Sequence, residues 1–275
     1  MSAFRRRRNI GRQLLVKPRS KVDLTAHDPA DTSLVGDKES AKAQLKEDSE
    51  AIDALQDKLF AERRRALLII LQGTDTSGKD GTVRGVFRTM GPLGVAVTAF
   101  AAPSSEDLAH DFLWRVHKAC PQRGTIGIFN RSHYEDVLVG RVRSLAPPEV
   151  IERRYDQINA FEDLISSSTR IVKFMLHISK EEQRRRLQAR LDDPDKRWKF
   201  SPGDLEDREH WDAYQHAYEM VLARCSTRAA PWYVIPADKK WARNAAVAAI
   251  VRATLEDMDP RYPAVDWDPA AFEVR

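Results

Sequence analysis

Only two cysteines, Cys120 and Cys225, occur in 275 residues. That is too few for a disulfide framework, and free thiols in a reducing cytoplasm are the expectation. Long hydrophobic runs are missing as well. The longest unbroken apolar stretches, residues 66–71 and 245–251, fall far short of the roughly 20 residues that a spanning helix needs. A transmembrane segment is thereby excluded, and no membrane partner is expected. Residues 1–21 carry an arginine run but no apolar stretch followed by small residues, so they do not read as a secretory signal. Acids are also absent from those 21 residues. Eight of the chain's 45 basic groups stand there (Arg5, Arg6, Arg7, Arg8, Arg12, Lys17, Arg19, Lys21), leaving 37 basic against 41 acidic residues, or −4, for the rest. The pI near 9.0 therefore belongs to a tail. Residues 1–37 read as a basic arm that either attracts a polyanion or serves as a disordered solubilising segment.

What is present is the pattern of an α/β protein. Short apolar runs at residues 66–71, 95–100, 125–129, 171–178 and 232–235 read as buried strands. Helix-length stretches precede and separate them: an amphipathic one over residues 38–65, then 81–90, 105–119, 148–166, 180–191, 211–225 and 239–258. Such alternation implies a five-stranded parallel sheet with helices on both faces, a three-layer fold with right-handed crossovers. Residues 38–275 read as one domain. Its one interruption, about 192–210, is dense in Asp, Lys, Arg, Pro and Gly and reads as a lid.

The sharpest local signal is Gly73-Thr74-Asp75-Thr76-Ser77-Gly78-Lys79-Asp80-Gly81, directly after the first strand and opening a helix. It fits G-x-x-x-x-G-K, the Walker A phosphate loop. Its glycines let successive amides curl around an anion, the helix N-terminus adds positive potential, and Lys79 supplies a cation for phosphate. One position departs from the pattern. Where a Ser or Thr hydroxyl ordinarily ligates magnesium, Asp80 stands, and Asp75 lies inside the loop. A carboxylate there repels phosphate unless a cation intervenes, which makes Asp75 a candidate Mg2+ ligand; the competing reading is an Asp that orders loop amides.

The strand at 125–129 runs into Asn130-Arg131-Ser132-His133-Tyr134-Glu135-Asp136. At the carboxyl edge of a parallel sheet these residues belong to the same crevice as the phosphate loop. Arg131 suits a phosphate, and Glu135 or Asp136 suits a second metal contact or the orientation of the attacking group; the alternative for both acids is the favourable first turn of a helix. No Asn-Lys-x-Asp segment follows a late strand, which weakens a GTPase reading. In the lid region Arg184, Arg185, Arg186, Arg190, Lys196, Arg197, Lys199 and Arg208 crowd together with Trp198, Phe200 and Trp211. Mobile cations closing over a phosphoryl group in flight stabilise its charge. Three successive arginines cannot all point into one cleft, so part of Arg184 to Arg186 is expected to be a solvated face. Trp211, Tyr214 and Tyr218 at helical spacing read as core rather than as a base-stacking platform.

Together, Gly73-x-Asp75-x-x-Gly78-Lys79-x-Gly81, Phe129-Asn130-Arg131-Ser132-His133-Tyr134-Glu135-Asp136-Val137 and Arg197-Trp198-Lys199-Phe200-Ser201-Pro202-x-Asp204 resemble the polyphosphate kinase 2 family, over about residues 67–266. The resemblance implies a P-loop kinase fold and a Mg2+-dependent phosphotransferase that passes the terminal phosphate of inorganic polyphosphate to AMP and/or ADP, the lid being most like that of the subgroup using both. It also implies metal on Asp75 and Asp136, with Lys79 and Arg131 on phosphates, and a homodimer or homotetramer. The other residues expected to touch phosphate or nucleotide are Gly73, Thr76, Ser77, Gly78, Asp80, Gly81, Asn130, Tyr134, Glu135, Lys199 and Arg208. Expected partners are polyphosphate and AMP, ADP or ATP, without nucleic acid. Deletion of residues 1–21 is expected to spare catalysis on short polyphosphate while weakening binding to long chains. Two rival readings stay open: an ATP-dependent nucleotide or small-molecule kinase, and a non-catalytic polyanion-binding P-loop module, which would not need the second acid cluster or the lid.

Overall fold

The computed structural model describes residues 3–268, 271, 272 and 274; residues 1 and 2 of the basic arm, and 269, 270, 273 and 275 at the end of the expected domain, lie outside the described residues. In chain order the elements are α1 (Ala3–Leu14), α2 (Lys38–Glu62), β1 (Ala66–Gln72), α3 (Lys79–Val86), β2 (Val95–Ala99), α4 (Ser105–Leu108), α5 (Trp114–Ala119), β3 (Ile126–Asn130), α6 (Val139–Val142), α7 (Pro148–Ser166), β4 (Thr169–His177), α8 (Lys180–Asp192), α9 (Pro202–Glu209), α10 (Trp211–Cys225), β5 (Trp232–Pro236) and α11 (Lys240–Met258). All five strands expected from the apolar runs form, and they pair in parallel in the order β2-β3-β1-β4-β5.

Every residue of β1 is buried, as a strand covered on both faces requires. Its alternation assigns the layers. Leu67, Ile69 and Leu71 share a core with α2 and α11 residues such as Ile52, Leu59, Val247 and Ile250, whereas Leu68 and Ile70 share one with Tyr155 and Ile158 of α7 and Val221 of α10. α11 is buried nearly all round, and its alanines let it lie closely against α2. Because β3 and β4 flank β1 on opposite sides, the crevice at the carboxyl end of β1 is the topological switch point, where open α/β sheets bind ligands.

Three local expectations change. The helix expected over 105–119 is two short ones. Ser104 and Asp107 form a capping box at α4, and the Asp111 carboxylate accepts the Leu113 N–H at 2.9 Å, turning the chain before α5. The lid region contains a 3-10 turn (Pro194–Lys199) followed by α9.

The third change concerns the basic segment, which folds onto the body. Ile10 and Val16 are buried, the Val16 N–H donates to the Trp232 carbonyl at 2.9 Å, and Leu15 bridges Tyr233 at the β5 edge. Arg7, 4% exposed, lies 3.6 Å from Asp48 and 3.3 Å from Glu256. Arg6 donates to the Val35 carbonyl, and Arg8 pairs with Asp257. Acids of α2 and α11 thus pair with Arg7 and Arg8, charges that sequence alone leaves without a partner. No helix among the described residues is long and apolar enough to cross a membrane.

Candidate active site

The phosphate loop begins where β1 ends. A Cβ on Gly73 would lie 2.6 Å from Ser77 Oγ and 2.8 Å from the Leu176 carbonyl, so the chain passes between β1 and β4 only with glycine there. Thr76 adopts φ 63° and Gly78 φ 101°, and α3 starts on Lys79. Lys79 is 8% exposed, and its ammonium folds back onto its own loop, donating to the carbonyls of Gly73 at 2.7 Å and Thr74 at 3.3 Å. Burial, with help from Arg131, lowers its pKa to about 8, against the pull of Asp75, Glu135 and Asp80. A phosphate drawn into the loop has the opposite effect on that balance.

Arg131 follows β3 in the left-handed region, φ 64°, with its N–H on the Leu71 carbonyl at 3.0 Å. That backbone turns its guanidinium toward the loop, where it meets Asp75 at 2.8 Å. Burial would lower its pKa, but Glu135 and Asp75 raise it overall. Glu135 is aimed by Gln72, the last residue of β1, whose side-chain amide nitrogen donates to it at 2.8 Å; Gln72 Oε1 in turn accepts from the Ser132 hydroxyl at 3.2 Å. Asn130 donates to Asp80 at 2.6 Å and joins the two segments at a second point.

Two concavities meet here. One is a cleft of about 560 Å³ running from the loop toward the lid, bordered by nine Lys and Arg side chains against three Asp. That imbalance suits a polyanion. Its cations include Lys79, Arg131, Arg190, Lys199, Lys240 and Arg243, and Trp198, Thr76, Asp80, Gly81 and Asn130 also border it. The other is a recess walled by Trp211, Tyr214, Tyr218, Leu138 and Val139, with Glu135 and Asp207 among its polar groups. The three α10 aromatics were expected as core. Tyr214 and Tyr218 are indeed buried, at 7% and 3% exposure, yet their helix also presents them to this recess. Asp75 and Arg131 border both concavities.

Several expected site residues lie elsewhere. Asp136, expected to share a metal with Asp75, borders neither concavity; it pairs with Arg154 at 3.3 Å, and burial raises its pKa while Arg154 and Arg115 oppose the rise. His133 to Asp136 form a single 3-10 turn, which sends successive side chains about 120° apart, so Glu135 reaches the recess and Asp136 does not. Tyr134 is wholly buried. Its hydroxyl donates to Glu162 at 2.9 Å and accepts from Lys173 at 2.7 Å, within a buried network that supports the turn from behind. Arg208 donates to the Lys180 carbonyl at 2.6 Å and to Gln183 at 3.0 Å, fastening α9 to the start of α8 rather than entering the cleft. Ser77 is buried under Gly73 and acts through its backbone carbonyl.

Sequence reasoning missed what lies beneath the loop. Arg184 is exposed and paired with Glu181, as a solvated face predicts, but Arg186 is 8% exposed and turns inward. Its guanidinium donates to the carbonyls of Thr76 at 2.9 Å, Ser77 at 3.1 Å, Ala237 at 2.7 Å and Asp238 at 2.9 Å, with Glu182 at 2.6 Å balancing its charge. Arg243 joins it from α11, 166 residues beyond Ser77. No motif announces these two; helical spacing from Glu182 to Arg186 was the only available hint.

The profile of the family described as Polyphosphate kinase 2 matches residues 35–263. An AMP/ADP-polyphosphate phosphotransferase of Meiothermus ruber is 50% identical over 250 residues, which cover 90% of this chain and 94% of that protein. An ADP-polyphosphate phosphotransferase of Rhodopseudomonas palustris is 40% identical over 269 residues, 92% of each. The crystal structure of polyphosphate kinase 2 from Arthrobacter aurescens superposes with a TM-score of 0.89 at 44% identity, covering 94% of this chain and 95% of that one. With the loop, the Arg131 turn and the lid assembled around one switch point, and with matches spanning nearly the whole chain, the chain belongs to the polyphosphate kinase 2 family.

Proposed function

We propose that this protein transfers the terminal phosphoryl group of inorganic polyphosphate to AMP and ADP. The observation that carries the reading is the junction: Asp75 and Arg131 stand where a cationic cleft meets an aromatic recess. A polyanionic donor suits the cationic cleft, while the recess, about 40 Å³ in this structure, offers aromatic walls on which an acceptor's base stacks only once Trp211 and Tyr214 move apart; the two reacting phosphates then meet beside Asp75 and Arg131.

The attacking atom is an oxygen of the acceptor's terminal phosphate, and the bond broken joins the donor's last phosphorus to its bridging oxygen, in line. No protein nucleophile is needed, since positioning and charge neutralisation carry most of phosphoryl transfer. The Lys79 ammonium exchanges its two loop carbonyls for donor phosphate. Arg131 leaves Asp75 for the transferring group. Lys199 and Arg190, from the lid side, close over the donor and exclude water.

Magnesium fits this donor set: Asp75 and Glu135 both border the recess, and a magnesium ion takes one or two carboxylates together with substrate phosphates. When bound, it neutralises charge between two anions that otherwise repel. Asp75, now paired with Arg131, and Glu135 would be the residues that hold it.

The test offers purified protein magnesium and long-chain polyphosphate with AMP or ADP separately, without ATP. ADP from the first mixture and ATP from the second are the expected products. Silence with both acceptors, combined with turnover when ATP is the donor, returns the ATP-dependent kinase.

A further inference from the structure

One cation at the phosphate loop has no counter-charge among the described residues. Arg243, in the first turn of α11, is 2% exposed and borders the cationic cleft. Its Nη1 donates to the Ser77 carbonyl at 3.2 Å, while Nε and Nη2 donate to the amide oxygen of neighbouring Asn244 at 3.0 and 2.9 Å. No ion pair reaches it among the described residues, and the charged group that acts on it is another cation, Arg186. Burial and that neighbour lower its pKa to about 10, which leaves it protonated at neutral pH. Arg186, by contrast, has Glu182.

The loop is shaped to admit this guanidinium. A Cβ on Gly78 would sit 1.8 Å from Arg243 Nη1, and one on Gly81 would sit 3.1 Å from Nη2. Two glycines of the motif therefore do more than permit a turn: they bring a buried guanidinium against the backbone that opens α3. A buried charge without a partner opposes folding, and the fold keeps one most readily where a ligand supplies the missing sign.

We propose that Arg243 is a positioning residue for the polyphosphate donor, a buried and unpaired cation set behind the loop whose counter-charge is the donor's own phosphate. The assignment rests on the donor reading given above. The competing role is structural, a pin from α11 to the loop. The two separate cleanly because the Ser77 carbonyl also accepts from Arg186 at 3.1 Å, so removing Arg243 leaves that carbonyl satisfied.

The experiment compares wild type, Arg243→Met and Arg243→Lys. It measures thermal midpoints with and without long-chain polyphosphate, and KM for polyphosphate and for ADP. Arg243→Met should melt at or above the wild-type midpoint in the absence of ligand and lose most of the midpoint rise that polyphosphate gives. Its KM for polyphosphate should rise at least tenfold and its KM for ADP stay within twofold; Arg243→Lys should recover part of the loss. An Arg243→Met protein that melts lower on its own, or fails to fold, yet whose lysine counterpart keeps wild-type polyphosphate KM, makes the residue a structural pin and overturns the proposal. A wild-type protein that polyphosphate neither stabilises nor drives to turnover defeats the donor reading, and this assignment with it.

Discussion

Arg5 to Arg8 and Arg184 to Arg186 look alike as runs of sequence, and the fold uses them in different ways. In α1, Arg7 is buried between Asp48 and Glu256, Arg8 pairs with Asp257 and Arg6 reaches the Val35 carbonyl, so this run fastens the first helix to α2, α11 and the segment between. In α8, Arg184 stays in solvent, Arg185 borders the cleft, and Arg186 supports two carbonyls of the phosphate loop. A basic run acquires its meaning from what faces it: acids and carbonyls of the scaffold turn it into a fastening, and a concave loop turns it into part of a site.

Arg186→Met tests the site half of that contrast and should have the largest effect. Turnover is expected to fall about 10² to 10³-fold, the usual cost of losing one preorganised group of an electrostatic site. Steady-state kinetics on variant protein checked for its fold would show it, and near-normal kcat would reduce Arg186 to a surface residue that happens to be covered. Arg7→Met tests the fastening half. Removing one partner from a buried pair is expected to cost about 3 kcal/mol of stability, the low end of the range because Arg252 still lies 3.0 Å from Asp48. Denaturant unfolding measures that loss; kcat should stay near wild type. For the same reason, deletion of residues 1–21 is expected to destabilise the protein, contrary to the reading of that segment as a dispensable arm, since it uncovers the surfaces that bury Ile10 and Val16. Lost activity with an unchanged unfolding curve would erase the contrast.

A pH signature further separates the two regions. Lys79 has its pKa lowered to about 8, so its charged form prevails below that value and is lost above it. Affinity for polyphosphate should weaken about tenfold per unit once pH passes the pKa of the free protein, as loss of one required proton demands. A break only above pH 10 would mean that Lys79 is solvated. The smallest effects are expected from Arg8→Ala and Arg184→Ala, exposed members of the two runs, with kcat and KM within twofold of wild type.

The parts of the site that were legible follow from local rules. The phosphate loop could be read because its glycines answer a backbone demand: Gly73 has no room for a Cβ, and Gly78 adopts a left-handed φ. β1 could be read because a strand covered on both faces is apolar throughout. Glu135 and Asp136 could not be told apart, since their separation depends on a 3-10 turn in place of the start of an α-helix. Tyr134 looked like a ligand because it stands inside a motif, and Arg208 because it stands in the basic crowd of the lid, yet one lies in a buried network with Lys173 and Glu162 and the other fastens α9. Arg243 was invisible between Ala242 and Asn244, outside every motif and 166 positions from the carbonyl it holds.

By itself the sequence determined the alternation of strand and helix, the parallel sheet and the place of the phosphate loop, because burial on two faces, turn geometry and glycine freedom are properties of neighbouring residues. Only the tertiary structure decided which cations border the cleft and which fasten the scaffold, that Glu135 rather than Asp136 borders the recess with Asp75, and that α10 aromatics both fill the core and wall a recess. Those outcomes depend on which distant side chain arrives to balance a charge or fill a space, and no local pattern in the chain records that arrival.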